Sequence, residues 1–314
     1  MISDPERINE LAAIYYLKKI KGLGPVKSKK IFEASHSFYD FYVSYRNWLV
    51  HPKITKFDYP IFRPKFEERF RNEFKHNFDK FDEHRDFILH QLRKADNFGG
   101  KLLTYHDAFY PKNLYQSNQS IPLLYVTGDL KNLKREKACA VVGTRKPCKW
   151  TISNTKSAVR RLIENDFIIV SGLAKGIDTI AHQTALDYGG KTIAVLGSGI
   201  DIYYPSENRE LQNAIIHNGV VLSEYPFGMK VQSFALKKRN KIIVGLCKFI
   251  LITETSPKGG TMNTYHAAVQ QKKTVGVFIP NEDVGGNFGG NKIIESEKKT
   301  RVREFSSGGE LGKL

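Results

Sequence analysis

Cysteine is scarce in this chain. Only Cys139, Cys148 and Cys247 occur in 314 residues, with no CxxC pair and no metal-ligand spacing. That excludes a disulfide framework and a metal centre built on paired thiolates, and three reduced thiols in a cytoplasmic protein are expected. Long apolar runs are also missing. No stretch approaches the roughly 18 residues of a membrane span. The opening Met1-Ile2-Ser3-Asp4-Pro5-Glu6-Arg7 sets no cationic patch ahead of an apolar core, so neither a secretory signal nor a membrane partner is expected. Several chemical signatures are absent as well. There is no GxxxxGK[ST] phosphate loop, no HExxH, and no Ser-His-Asp or paired-carboxylate constellation at a usable spacing. No catalytic residue, metal or cofactor is therefore expected. Finally, acidic residues are in deficit: 49 Lys and Arg against 32 Asp and Glu give a formal net charge of +17. Such a field attracts polyanions, although a basic, solvated surface produces the same count.

The length suits two or three domains. In residues 1–48, Leu11, Ile14, Leu17 and Ile20 recur at helical spacing, and Ile31 and Phe32 follow on a second helix. Between them Gly22-Leu23-Gly24-Pro25 resembles the turn of a helix-hairpin-helix, in which glycines admit a phosphate and Pro25 opens the next helix. A small helical packing module reads the same way. Residues 49–97 form an aromatic-rich helical connector. There Phe66, Phe70, Phe74, Phe78 and Phe81 fall on one helical face, a pattern of core rather than of base stacking. Residues 98–295 read as the main domain. Strands at 101–105 and 123–126 precede apolar strands at 139–142, 167–171, 192–196, 220–224, 248–253 and 274–279, which alternate with helical segments. Near-continuous apolar strands of this kind predict an α/β fold: a Rossmann-like, doubly wound, mostly parallel sheet covered on both faces. Residues 296–314, with Ser306-Ser307-Gly308-Gly309, read as a flexible tail.

In an open parallel sheet, ligands bind beyond the carboxyl ends of the strands. The residues there are Gly143-Thr144-Arg145-Lys146-Pro147, Ser171-Gly172-Leu173-Ala174-Lys175-Gly176-Ile177-Asp178, Gly197-Ser198-Gly199, and Glu254 followed by Lys258-Gly259-Gly260-Thr261. Glycine lets backbone N–H groups approach a phosphate, and each following helix adds its positive end. Arg145 can grip phosphate with two donors and Lys175 adds a point charge. Tight strand-to-helix turns would also use glycine, but several such loops on one sheet edge favour anion binding. The GxGxxG fingerprint of dinucleotide enzymes is absent from the first loop, and Gly197-Ser198-Gly199 lacks its third glycine. Asp178 is expected to cap the helix carrying His182, and His182 to make a structural hydrogen bond. Glu224 is placed to orient Arg145 or Arg239, or simply to end its strand. Lys237 and Lys238, adjoining Arg239, suggest a ligand-facing patch.

The order and content of these loops resemble the DprA/Smf family. The resemblance rests on Val142-Gly143-Thr144-Arg145, Ser171 to Asp178, Ala181-His182, Gly190 to Gly199, Tyr204-Pro205, Leu222-Ser223-Glu224-Tyr225-Pro226, Arg239-Asn240-Lys241-Ile242-Ile243 and Gly260-Thr261-Met262. The helical N-terminus resembles the family's sterile-alpha-motif-like domain. The resemblance implies a homodimer that binds single-stranded DNA in a basic pocket and passes the strand to the recombinase RecA during DNA uptake or recombination. By matching position it makes Arg145 the family's strand-binding arginine and sets Arg239, Asn240 and Lys241 on the family's Arg-Asn-Arg; with the strand-end loops and the basic run, the expected DNA-binding set is Gly143, Thr144, Arg145, Lys175, Gly197, Ser198, Gly199, Phe234, Lys237, Arg239, Asn240, Lys241, Gly260 and Thr261. The chain departs from the family where an aromatic gives way to Leu236, with Phe234 nearby, where Ser206 replaces a basic residue, and where Lys241 replaces an arginine. The alternative is a nucleotide-binding sensor or phosphoribohydrolase-like enzyme on a related fold. Pro257-Lys258-Gly259-Gly260-Thr261 is similar to those enzymes' loop, but the glutamate they need would fall near Tyr265-His266.

Overall fold

The computed structural model describes residues 4–50, 64–76, 80–297 and 299–313. It opens with helices α1 (Pro5–Lys19), α2 (Pro25–Ser35), α3 (Phe38–Val50), α4 (Pro64–His76) and α5 (Phe81–Phe98). The Asp4 carboxylate accepts from the amides of Glu6 and Arg7, and Pro5 takes the first helical position, so α1 starts where its sequence dictates. Around α1 lies an aromatic core. Tyr16, Phe41, Tyr42, Tyr45, Phe70 and Phe74 are buried, Tyr42 stacks on Phe81 at 4.2 Å, and the Tyr16 hydroxyl donates to the Phe74 carbonyl at 2.7 Å. Phe70 and Phe74 thus belong to the core, as their spacing predicts. Phe78 lies outside the described residues, as do residues 51–63 of the connector.

The sheet region follows in chain order: β1 (Gly100–Leu103), α6 (Lys112–Gln116), β2 (Leu124–Gly128), β3 (Ala138–Val142), α7 (Lys149–Glu164), β4 (Ile168–Ser171), α8 (Ile177–Asp187), β5 (Thr192–Leu196), α9 (Arg209–Asn218), β6 (Val220–Ser223), α10 (Ser233–Lys238), α11 (Asn240–Leu246), β7 (Phe249–Ile252), α12 (Met262–Gln270), β8 (Thr274–Phe278), α13 (Gly289–Glu297) and β9 (Val302–Phe305). The nine strands make one sheet in the order β1-β2-β6-β5-β4-β3-β7-β8-β9. Strands β3 to β9 are mutually parallel, and β2 pairs antiparallel with both β1 and β6. This is the doubly wound, mostly parallel α/β sheet that the alternating pattern predicts.

Alternate strand residues feed different layers. Ala140, Val142, Val170, Val195, Ile250 and Val277 pack with residues of α6, α11 and α12. Cys139, Val141, Ile169 and Leu251 face α7 and α8. On the same side, Ala194, Leu196, Val221 and Tyr125 join the N-terminal helices in one continuous apolar cluster. Polar contacts reinforce that junction. Arg7 donates to the Leu102 carbonyl, the Thr104 hydroxyl and the Asp107 carboxylate at 2.6–2.9 Å, and the Gln91 side chain accepts from the Phe227 amide at 2.8 Å.

The end of the chain departs from its sequence reading. Residues 299–313 are not a free tail: Val302–Phe305 adds a ninth strand parallel to β8, and Gly308–Lys313 forms a 3-10 turn. The Gly308 amide donates to the Asn154 side chain at 2.8 Å, and Phe305 and Leu311 are buried. Glycine and serine dominate the local composition there, but pairing with β8 and burial of these two apolar side chains both work against the ordering cost.

Candidate functional site

The chain steps outward from β3 through β4, β5 and β6, then returns to the other side of β3 for β7, β8 and β9. The reversal opens a crevice at the carboxyl ends of β3 and β7, the usual ligand position in such sheets. A cavity of about 650 Å³ lies there. Gly143, Thr144, Arg145, Lys237, Arg239, Asn240, Gly260 and Thr261 line it. A smaller recess of about 50 Å³ adjoins it, lined by Lys175, Gly197 and Ser198, with Arg145 and Arg239 shared between the two. The strand-end loops therefore converge as their sequence positions predict.

Three residues of the expected set lie elsewhere. The Gly199 amide donates to the Met229 carbonyl at 2.9 Å, closing its own loop. Phe234 is exposed, but its ring meets Tyr225 edge-on at 6.4 Å, away from the cavity lining. Lys241 is exposed on α11 and contributes nothing to the lining. An aromatic that the expected set omits, Tyr204, is 44% exposed and borders both spaces. Its signal in the sequence was the Tyr-Pro pair soon after Gly197-Ser198-Gly199.

Most loop glycines serve the packing of one loop on another. Gly176 has φ +78°, and a Cβ there would sit 2.5 Å from the Thr144 carbonyl oxygen. That close approach lets the Ile177 amide donate to Thr144 at 3.2 Å, seating the Arg145 loop on the start of α8. Gly197 likewise leaves room for the backbone of Leu236 on α10. Gly260, by contrast, has open space beside it and stands just before α12, whose amino end carries the positive pole of the helix.

The cations sort into two groups. Arg145 and Lys237 are exposed, and neither makes an ion pair among the described residues. Lys175 is paired with Glu207, and Lys238 with Glu224 at 2.8 Å. Glu224 therefore orients neither arginine. Arg239 is the main correction to the sequence reading. It is 6% exposed, and its guanidinium donates to the carbonyls of Gly172 and Val195 and lies 3.6 Å from Asp178. It forms a floor rather than a mobile grip. Burial pushes its pKa down, with Asp178 opposing that shift and the charge of Arg145 adding to it.

Asp178 does not cap its own helix. Its carboxylate accepts from the amides of Gly172 and Ala174 at 3.1 and 3.3 Å, while Gly176 holds the capping position. Burial raises the Asp178 pKa and the Arg239 charge opposes the rise. His182 is structural, as its sequence context predicts. Its Nδ1 lies 2.6 Å from the Thr192 hydroxyl, which itself donates to the Ile169 carbonyl, so Nδ1 carries the proton. Burial, then the Arg239 charge, lowers the His182 pKa to about 3 and keeps the ring neutral. Glu254, at the end of β7, is also consumed. It accepts from the Cys148 amide, the Thr151 hydroxyl and the Asn287 amide at 2.7–3.0 Å, which anchors the loop carrying Arg145. Among the described lining residues Asp178 is the one acid, and it is bonded to the protein.

The fold and this crevice define a class: a doubly wound α/β protein with a basic strand-end cleft whose nearby carboxylates and imidazole are bonded into the scaffold. Residues 101–306 match the family described as DNA recombination-mediator protein A, and the chain belongs to that family, also called DprA/Smf. It is 41% identical over 169 residues to the DNA processing protein DprA of Streptococcus pneumoniae, covering 54% of this chain and 59% of that one. It is 32% identical over 299 residues to Protein Smf of Synechocystis, covering 94% of this chain and 71% of the relative. Among solved structures, the X-ray structure of DprA from Streptococcus pneumoniae superposes with a TM-score of 0.68 at 30% identity, covering 94% of both chains. DprA from Helicobacter pylori, described for its single-stranded DNA binding mode, superposes with a TM-score of 0.55 at 26% identity, covering 65% of this chain and 90% of that one. No helix among the described residues is long and apolar enough to cross a membrane.

Proposed function

We propose that this chain binds single-stranded DNA along the strand-end crevice and hands the bound strand to the recombinase RecA. It acts as a cytoplasmic homodimer and catalyses no reaction. The observation that carries this reading is the charge at the crevice. Arg145 and Lys237 border an opening of about 650 Å³ without ion-pair partners among the described residues, while the acids lining it or next to it are bonded to other groups. Cations left free in a groove track a phosphate backbone, and an aromatic beside them suits unpaired bases. The Helicobacter pylori relative, described for single-stranded DNA binding, supports the choice of ligand.

The reading is tested by fluorescence anisotropy with labelled oligo-dT, a duplex of equal length and mononucleotide competitors at two salt concentrations. Strand binding that weakens with salt and resists mononucleotides is expected. Preference for a mononucleotide would favour the sensor or hydrolase alternative. Delivery to RecA is read by filament assembly on a strand already coated with single-strand-binding protein, and self-association by light scattering. A strict monomer, or filament growth indifferent to this protein, would remove those parts of the proposal.

A further inference from the structure

Tyr204 differs from the other exposed aromatics. Tyr188 lies under the Arg160 guanidinium at 5.4 Å, and Phe234 meets Tyr225 edge-on. Its neighbour Tyr203 donates its hydroxyl to Asn213 at 3.0 Å and lies under Arg209 at 4.7 Å. The Tyr204 ring has no aromatic, cationic or hydrogen-bonding partner among the described residues, yet the residue is 44% exposed and lines the crevice. Leu236 shares both spaces with it, and Val231 and Pro205 complete an aliphatic lining in the recess. Arg145 borders both spaces too.

A bare aromatic face, aliphatic side chains and a free guanidinium at one opening match the parts of a nucleotide. The ring and the aliphatic groups suit a flat base, and the guanidinium suits the phosphate next to it. We propose that Tyr204 is the platform on which one unpaired base of the bound strand stacks, with Leu236 closing the other side and Arg145 holding the flanking phosphate. This rests on the strand-binding reading above and adds a contact that a pure backbone binder lacks. Stacking tolerates any base, because every base has a π-face.

The test compares oligo-dT with a strand of equal length and charge built from abasic residues. Wild type should favour oligo-dT by roughly five- to 150-fold, the stacking contribution of one base. Tyr204→Leu keeps an apolar side chain. It should lose that preference while holding the abasic strand within roughly twofold of wild type, since backbone contacts remain. Tyr204→Trp should retain the preference, and its added indole should be quenched by oligo-dT but not by the abasic strand. Equal wild-type affinity for the two strands would overturn the platform and leave strand binding intact. So would a Tyr204→Leu protein that still prefers oligo-dT. Failure of wild type to bind either strand would overturn the strand-binding reading and the platform with it.

Discussion

Arg145→Ala should separate binding from stability. Arg145 is exposed, makes no ion pair among the described residues, and sits on a loop held by Gly176 and Glu254 rather than by its own side chain. Truncation therefore removes no internal bond, and the unfolding midpoint should not move. A charge-assisted contact contributes about 1.5–3 kcal/mol. Because the guanidinium stays partly in water, the lower half applies, about 1.5–2 kcal/mol, or roughly a 12- to 30-fold loss of affinity. A backbone contact carries no base identity, so oligo-dT and a mixed sequence should lose equally. One phosphate contact fewer should also flatten the log-affinity against log-salt slope by about 0.7. The assay is anisotropy across a salt series, with Lys80→Ala, exposed at the start of α5, as the surface control. A folded Arg145→Ala protein that binds both strands like wild type, with the same salt slope, would refute the assignment of the crevice to DNA.

Arg239→Ala should behave differently, because it leaves Asp178 buried without its cation: a stability loss of about 3 kcal/mol in urea unfolding is expected. A variant as stable as wild type but defective in binding would return Arg239 to a direct grip. For His182, the folded chain refuses a proton down to a pKa of about 3 while the unfolded chain takes one near 6.5. Stability from this group is thus full above pH 6.5 and is lost as pH falls, by about 2 kcal/mol between 6.5 and 5. An NMR titration showing the ring protonated at pH 5 in the folded protein would contradict this. Deleting residues 300–314 removes the buried Phe305 and Leu311 and should lower stability by about 3–5 kcal/mol, whereas a truly free tail would leave the melting temperature unchanged.

The parallel sheet was legible because strands covered on both faces must be apolar throughout, and β3, β4, β5, β6 and β7 are buried at every position. The loops after them were legible because strand ends are where such sheets place ligands. What stayed hidden were facts of tertiary contact. Arg239 sits in a basic run, Lys237-Lys238-Arg239, and nothing local tells the buried member from the exposed ones. The contact with Gly172, 67 residues away, decides it. Phe234 and Tyr204 differ in the same manner. The six-residue α10 is too short for periodicity to set which side chain meets the crevice. The ninth strand was masked by its Ser-Gly surroundings, since four residues give no pattern until β8 is there to pair with them.

The net charge of +17 says nothing about where an anion docks, because a lysine bonded to a glutamate counts the same as a free one. The crevice acquires direction only after pairing is resolved. Lys175 and Lys238 are answered by Glu207 and Glu224, and Arg239 by Asp178 and two carbonyls, which leaves Arg145 and Lys237 as lining cations without an ion pair among the described residues. The two groups also sit on different supports. Arg239 ties α10 to the ends of β4 and β5 through the Gly172 and Val195 carbonyls, and so fixes the helix on which Lys237 stands. Glu254 fixes the loop on which Arg145 stands. Buried charges that hold the frame and the exposed charges proposed to meet the strand are thus different residues, even where they are neighbours in sequence. A substitution of one kind should register in unfolding and of the other in binding, which is why the contrast between Arg145→Ala and Arg239→Ala tests the site more sharply than either variant alone.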